Sequence, residues 1–327
     1  HVRYVKPEKL SRQTKKSRAQ NWAVLHTRKD HQYRFDNPKL PTLQPWRNTT
    51  KRPARRFVFE RNPYFHRIDV AGRQLPYLDR LVVNIASGKL VPTKAGVGES
   101  DLQGRHIRFD NYTFLKEGEQ RHGYKVRLWR TARGSKFTLY PNLNAEDPTW
   151  RALLRDVRFR RALSLGIDRH EINQVVFFGL AREGANTVLK ESPLFKPEYF
   201  NAWAKLDLKS ANKLLDEIGL TKRNDRGLRL LPDGRAADII IDTAGESTLE
   251  TDVLELVHDS WLKLGIKLHA RPSQREVFRN RIFAGLATMS VWSGLENGIP
   301  SADMSPKELA PTSQQQLHWP QWGQYYE

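Results

Sequence analysis

The sequence predicts an α/β protein, and residues 237–292 are the first reason. Residues 238–243 (DIIIDT) read as a strand, and 249–264 as a helix with Leu249, Val253, Leu256, Val257 and Trp261 on its apolar side. Residues 266–270 (IKLHA) read as a second strand. A helix that Ser273 and Glu276 would cap follows to about Phe283, then a third strand at 286–292 (LATMSVW). This β-α-β-α-β order with short loops predicts parallel strands joined by right-handed crossovers. The second reason is a helical run before it. Asp156 starts a helix bearing Val157, Phe159, Ala162, Leu163 and Leu165, and Asp168 with Glu171 starts another that ends at Gly179. Asp207 starts a third helix, with Ala211, Leu214, Leu215 and Ile218 on one face and Gly219 closing it. A tight turn, LLPDGR at 230–235, then leads into the strands.

Upstream, the stretch NPYFHRIDVAGRQLPYLDR (62–80) carries two X-Pro steps around a turn at Ala71-Gly72, the pattern of a rigid corner. It leads into LVVNIA (81–86), an apolar run that predicts a buried strand. KVRLW (125–129) and KFTLY (136–140) alternate like half-buried strands. A length of 327 residues predicts about two domains. The change of pattern places them at 1–138 and 139–316, with an aromatic-rich tail at 317–327.

Composition narrows the function. The sequence has no cysteine, which removes disulfides, thiolate nucleophiles and cysteine-held zinc, and suits an oxidising compartment. No run approaches the roughly 18 apolar residues of a membrane span. The opening HVRYVKPEKL has no leader pattern, so the expectation is a mature product or a piece of a longer chain. The 55 basic and 36 acidic residues give +19, and residues 1–60 hold 16 of the former and 4 of the latter, a net of +12. Such an excess suits a solvated basic surface, a polyanion or an anionic membrane. No nucleic-acid module accompanies it. No G-x-S-x-G elbow, Walker loop, H-E-x-x-H or acidic metal loop is present, so neither catalysis nor a metal or cofactor is expected.

In an open parallel sheet, ligands sit beyond the carboxyl ends of the strands. Three loops qualify: 244–248 (AGEST), 271–273 (RPS) and 293–300 (SGLENGIP). Trp292 ends its strand, and Ser293, Glu296 and Asn297 follow with two glycines that would let a backbone approach a ligand. Trp319, Trp322, Tyr325 and Tyr326 crowd the last nine residues.

Three blocks together resemble one known family. They are ERNPYFHRIDVAGRQLPYLDRLVVNI (60–85), the D-x-R-x-R-x-A-L helix and following DR helix within 140–181, and HDSWLKLGIKL (258–268) followed by SVWSGLENG (290–298). The chain is similar to the extracytoplasmic solute-binding proteins of ABC importers, family 5, which take oligopeptides, dipeptides or oligosaccharides. The resemblance implies a periplasmic-binding-protein-like (type II) two-lobed α/β fold, here incomplete at both ends, and a corner at 62–80 that positions a strand. It implies a monomer in the periplasm that binds a peptide or oligosaccharide between its lobes and hands it to a membrane permease. Where related dipeptide binders have a Trp and then an Asp-Asn-Gly loop, this sequence has Trp292 and Glu296-Asn297-Gly298, one residue further along and with Glu as the acid. Tyr140, Asn142 and Asn144, near the passage between lobes, are further ligand candidates, and Trp319 and Trp322 would suit the apolar faces of a sugar. The alternatives are a basic structural or nucleic-acid-associated protein on the same fold, with 1–60 as its contact surface, and a hydrolase on a two-lobed scaffold.

Overall fold

The computed structural model describes residues 5–31, 37–300 and 306–327. Part of the basic segment 1–60 therefore lies outside the described residues. Two compact units divide the chain: His1–Ile107 with Phe114–Tyr124, and Arg108–Thr113 with Lys125–Glu327.

The first unit opens with helices α1 (Pro7–Lys16) and α2 (Trp22–Asp30), the latter capped by the Asn21 side chain. Strands β1 (Trp46–Asn48), β2 (Arg56–Arg61) and β3 (Arg80–Asn84) form an antiparallel sheet in that order. Helices α3 (Val91–Gly96) and α4 (Tyr112–His122) follow. The corner at 62–80 is held by its own polar side chains. Asn62 is buried, donates to the carbonyls of Thr42 and Gln44 at 3.0 Å, and accepts from the Tyr64 amide. Asp69 accepts from the Ala71 and Arg73 amides, from Arg73 Nε and, at 2.6 Å, from the Tyr77 hydroxyl. The Tyr77 hydroxyl bond is the largest influence holding the Asp69 carboxyl below its ordinary pKa. The corner is thus a structural brace between β2 and β3.

Two strand expectations need correction. The run at 81–86 does form β3, but it is not buried: Val82 and Val83 are 44% and 45% exposed. Among the described residues β3 pairs only with β2, so it is an edge strand without a layer over it. Residues 125–129 are not a strand: among the described residues no strand pairs with them, and Leu128 and Trp129 are exposed.

The second unit contains strand β4 (Thr138–Pro141), then helices α5 (Pro148–Arg155), α6 (Val157–Leu165), α7 (Arg169–Phe177), α8 (Pro197–Asn201) and α9 (Leu208–Glu217). It continues with β5 (Asp238–Thr243), α10 (Thr248–Leu262), β6 (Lys267–Pro272), α11 (Arg275–Phe283), β7 (Met289–Trp292) and α12 (Pro320–Tyr326). The sheet order is β4-β7-β5-β6, with β5 parallel to both β6 and β7 as expected, and β4 antiparallel to β7. Asp156, Asp168 and Asp207 cap α6, α7 and α9 by accepting backbone amides, as read from the sequence. The Ser273 cap is a correction. The cap position falls one residue later, at Gln274, and carries no side-chain cap, because Ser273 is still continuing the sheet through its amide to the Thr243 carbonyl. Among the described residues the larger apolar cluster holds Trp261, wholly buried, together with Leu154, Leu215, Ile239 and Ile241, and a smaller one joins Ala244 to Phe278, Ile282 and Ala287.

Candidate functional site

A cavity of about 160 Å³ opens where β7 ends. Its apolar lining is Tyr140 from β4, Phe278 and Phe283 from α11, Trp292 from β7, and Leu317. Its polar lining is Arg279, Ser293, Glu296, Lys307, Glu308, Gln315 and Gln316. It lies within the second unit and at the carboxyl end of a parallel strand, where ligands of open α/β sheets gather. It is smaller than the roughly 300–1,000 Å³ of a drug-sized pocket, so it has room for only part of such a molecule. A larger, shallow hollow borders Glu146, Asp147 and Gly285 near the amino end of β7, the edge of the sheet such ligands do not use.

The indole of Trp292 is half-buried. It stacks on Phe278 with ring centroids 5.8 Å apart, and the Arg275 guanidinium lies 5.1 Å from its centre. Arg275 is itself held by a paired ion bridge to Glu246 in the loop after β5. Tyr140 is buried, and its hydroxyl donates to the Ser293 carbonyl at 2.6 Å, which ties the loop after β7 to β4. Burial first, and then the nearby carboxylates of Glu308 and Glu296, push the phenol far above its ordinary range, so it remains a neutral donor. The Glu296 amide donates to Glu308 Oε1 at 2.9 Å, which brings two carboxylates to one rim of the cavity.

The other candidates are placed differently. Asn297 turns back on its own loop, accepting from the Ile299 amide, and does not line the cavity. Asn142 is buried, donating to the carbonyls of Ile282 and Ala287 and accepting from the Asn144 amide. Asn144 accepts from the amides of Gln321 and Trp322 and so fastens the start of α12. Both asparagines brace backbone that no local sequence pattern brings near. Trp319 leans on His318, and Trp322 is exposed under the Arg155 guanidinium at 5.0 Å; neither lines the cavity. The two loop glycines also do other work than expected. A Cβ on Gly294 would lie 2.2 Å from Asn186 Oδ1, and one on Gly298 would lie 2.7 Å from Leu189 Cγ. They let the loop pack against residues 132–135 and 186–189, which hold it by backbone hydrogen bonds through Gly294, Leu295 and Gly298.

The lining residues that sequence reasoning missed, Arg279, Lys307, Glu308, Gln315 and Gln316, come mostly from a stretch without periodicity. Among the described residues no group of His, Asp and Glu has the arrangement to hold a metal ion.

The family model described as bacterial extracellular solute-binding proteins, family 5 Middle, matches residues 7–315. The chain belongs to this family. The family 5 chain is 35% identical to the oligopeptide-binding protein OppA, whose solved structure it matches with a TM-score of 0.60 over 91% of this chain and 47% of that one. It matches the periplasmic binding protein MelB of Agrobacterium fabrum C58, solved with stachyose, at a TM-score of 0.63 and 20% identity, over 78% of this chain and 40% of that one. That likeness concerns the fold. A curated relative, the periplasmic alpha-galactoside-binding protein of Rhizobium meliloti (strain 1021), is 23% identical over 249 residues, 70% of this chain and 35% of that protein. The matched stretch thus spans about a third of that relative and under half of either solved chain. The periplasmic-binding-protein-like α/β class expected from the sequence is the class these structures have. Among the described residues no helix is long and apolar enough to cross a membrane.

In this family 5 chain the carboxyl edge of the sheet also holds a buried acid. Glu250, in the first turn of α10, has its carboxyl raised from 4.5 to about 7. Burial is the main cause; a hydrogen bond from Thr243 opposes it and the neighbouring Glu246 adds to it. The folded pKa lies above the unfolded one, so between them the folded state holds a proton that the unfolded state has released. The stability that Glu250 contributes is fully present below pH 4.5 and is lost as pH rises to about 7. Glu250→Gln should flatten that decline in urea midpoints measured from pH 5 to pH 8; an unchanged slope would assign the decline to other groups.

Proposed function

We propose that this chain belongs to the substrate-binding component of an ABC importer and takes a peptide or an oligosaccharide for delivery to a membrane permease outside the cytoplasm. The observation that carries this is the cavity at the end of β7, where Trp292 and Tyr140 supply an aromatic wall and Glu296 and Glu308 supply acceptors. An aromatic plane beside a few aimed polar groups suits a sugar face or a peptide side chain equally. The names of the relatives span the same two ligand classes, oligopeptides for OppA and alpha-galactosides for the Rhizobium protein. In this reading residues 139–316 are the lobe that carries the cavity, 1–138 belong to the other lobe, and 317–327 form a tail. The protein acts as a monomeric receptor and performs no chemistry on its solute.

The test is calorimetric titration with stachyose and, separately, with an oligopeptide pool. Saturable heat with one of them selects the ligand class. Trp292→Ala should then weaken binding about 10- to 100-fold, the size of a buried aromatic contact, without moving the thermal midpoint by more than a few degrees. Unchanged affinity in the variant would remove Trp292 from the site.

A further inference from the structure

We propose that the exposed face of α1, with the start of α2, is a docking surface for an anionic phospholipid membrane. Residues 5–31 hold eight Lys or Arg and only two acids, Glu8 and Asp30. Lys9, Arg12 and Lys16 recur at i, i+3 and i+7, so they form one stripe along α1. The half-buried residues of the helix, Leu10 and Thr14, lie on the opposite side, and α1 touches α2. The stripe therefore points away from the helix pair. Lys9, Arg12, Lys15 and Lys16 are all exposed, and among the described residues none has a side-chain ion pair or hydrogen bond. Cations on a folded surface are ordinarily interleaved with acids. Here they are collected, with Glu8 the one acid on α1 and not ion-paired to them.

The shape selects among polyanions. A single straight stripe on a helix meets a flat array of headgroups along its whole length, whereas a nucleic-acid strand calls for a groove and stacking platforms. Trp22 adds the amphipathic ring that settles at a headgroup boundary. It is 45% exposed and stands at the first position of α2, beside its Asn21 cap. Each basic side chain near an anionic surface strengthens binding about fivefold, and the attraction fades within a Debye length.

The experiment is co-sedimentation of the full chain with vesicles of phosphatidylglycerol in phosphatidylcholine, and with phosphatidylcholine alone, at low and high salt. Binding is expected only to the anionic vesicles and only at low salt. The triple variant K9Q/R12Q/K16Q keeps good helix formers in α1 and should lose roughly a hundredfold in affinity. A second triple, K205Q/K209Q/K222Q, removes the same charge from exposed sites in the second unit and should lose less than about fivefold. Equal losses from both triples would reduce the effect to net charge and overturn the assignment to α1. Undiminished binding to neutral vesicles would overturn it, and so would single-stranded RNA that binds the same stripe more tightly than the vesicles do.

Discussion

Trp261→Ala should lower the stability of the second unit by about 3–5 kcal/mol, more than any other single truncation in its core. The indole is wholly buried on α10, and its Nε1 donates to the Leu163 carbonyl at the end of α6, 3.0 Å away. The neighbouring Ser260 hydroxyl donates to the Gly166 carbonyl at 2.6 Å, so two consecutive side chains of α10 clasp the same helix end. Gly166 lets them approach: a Cβ there would stand 2.5 Å from Leu264 Cδ1 and 3.1 Å from Trp261 Cδ1. Truncation would open a cavity that a close-packed core collapses only partly, and would leave a buried carbonyl without its donor. The thermal midpoint should fall on the order of 10 °C. Trp261→Phe keeps most of the buried area and should lose clearly less. Urea unfolding followed by far-UV circular dichroism reads both variants; a loss under about 1 kcal/mol for Trp261→Ala would mean that the helices around it close the gap.

What the sequence disclosed divides by range. The aspartate caps at 156, 168 and 207 act on amides two or three residues away, so their meaning is local and could be read directly. The parallel order of β5, β6 and β7 followed from helices between strands, because a chain that crosses over in a helix returns in the same direction. Residues 125–129 alternate like a strand, yet pairing needs a partner that no local pattern supplies. The site shows the same division. Trp292 was legible because a strand end and its loop are adjacent in the chain. Glu308 reaches the same rim from twelve residues further along the sequence, a separation that no local pattern spans. Asn142 had the composition of a ligand group, but the carbonyls it serves lie about 140 residues away. The glycines of the 293–300 loop signal close approach in the sequence without naming what approaches, and here it is the protein's own backbone.

Asp242→Ala is the variant expected to join loss of stability to loss of the site. Asp242 is fully buried on β5, one residue from its carboxyl end. Its Oδ1 accepts from Arg271 Nε and Arg281 Nε, each at 3.0 Å, and its Oδ2 accepts from the second Arg271 nitrogen at 2.7 Å. One carboxylate therefore fastens β6 and α11 to the middle strand at the edge where the cavity opens. Removing one partner of a buried ion cluster costs about 3–5 kcal/mol, because the remaining charges keep their desolvation without their attraction. Arg271 and Arg281 are 38% and 27% exposed, so water partly recovers them and the low end, about 3 kcal/mol, applies. Asp242→Asn keeps the shape and loses only the charge, and should fall between the variant and the parent. The functional consequence follows from α11, which carries Phe278 beneath Trp292 and Arg275 beside it. With its anchor gone, α11 shifts the aromatic wall, so at a temperature where Asp242→Ala is still folded its solute affinity should fall as well. If the affinity holds while stability drops, Asp242 anchors the sheet alone and the wall of the cavity is fixed by Asn142 and the Tyr140–Ser293 bond.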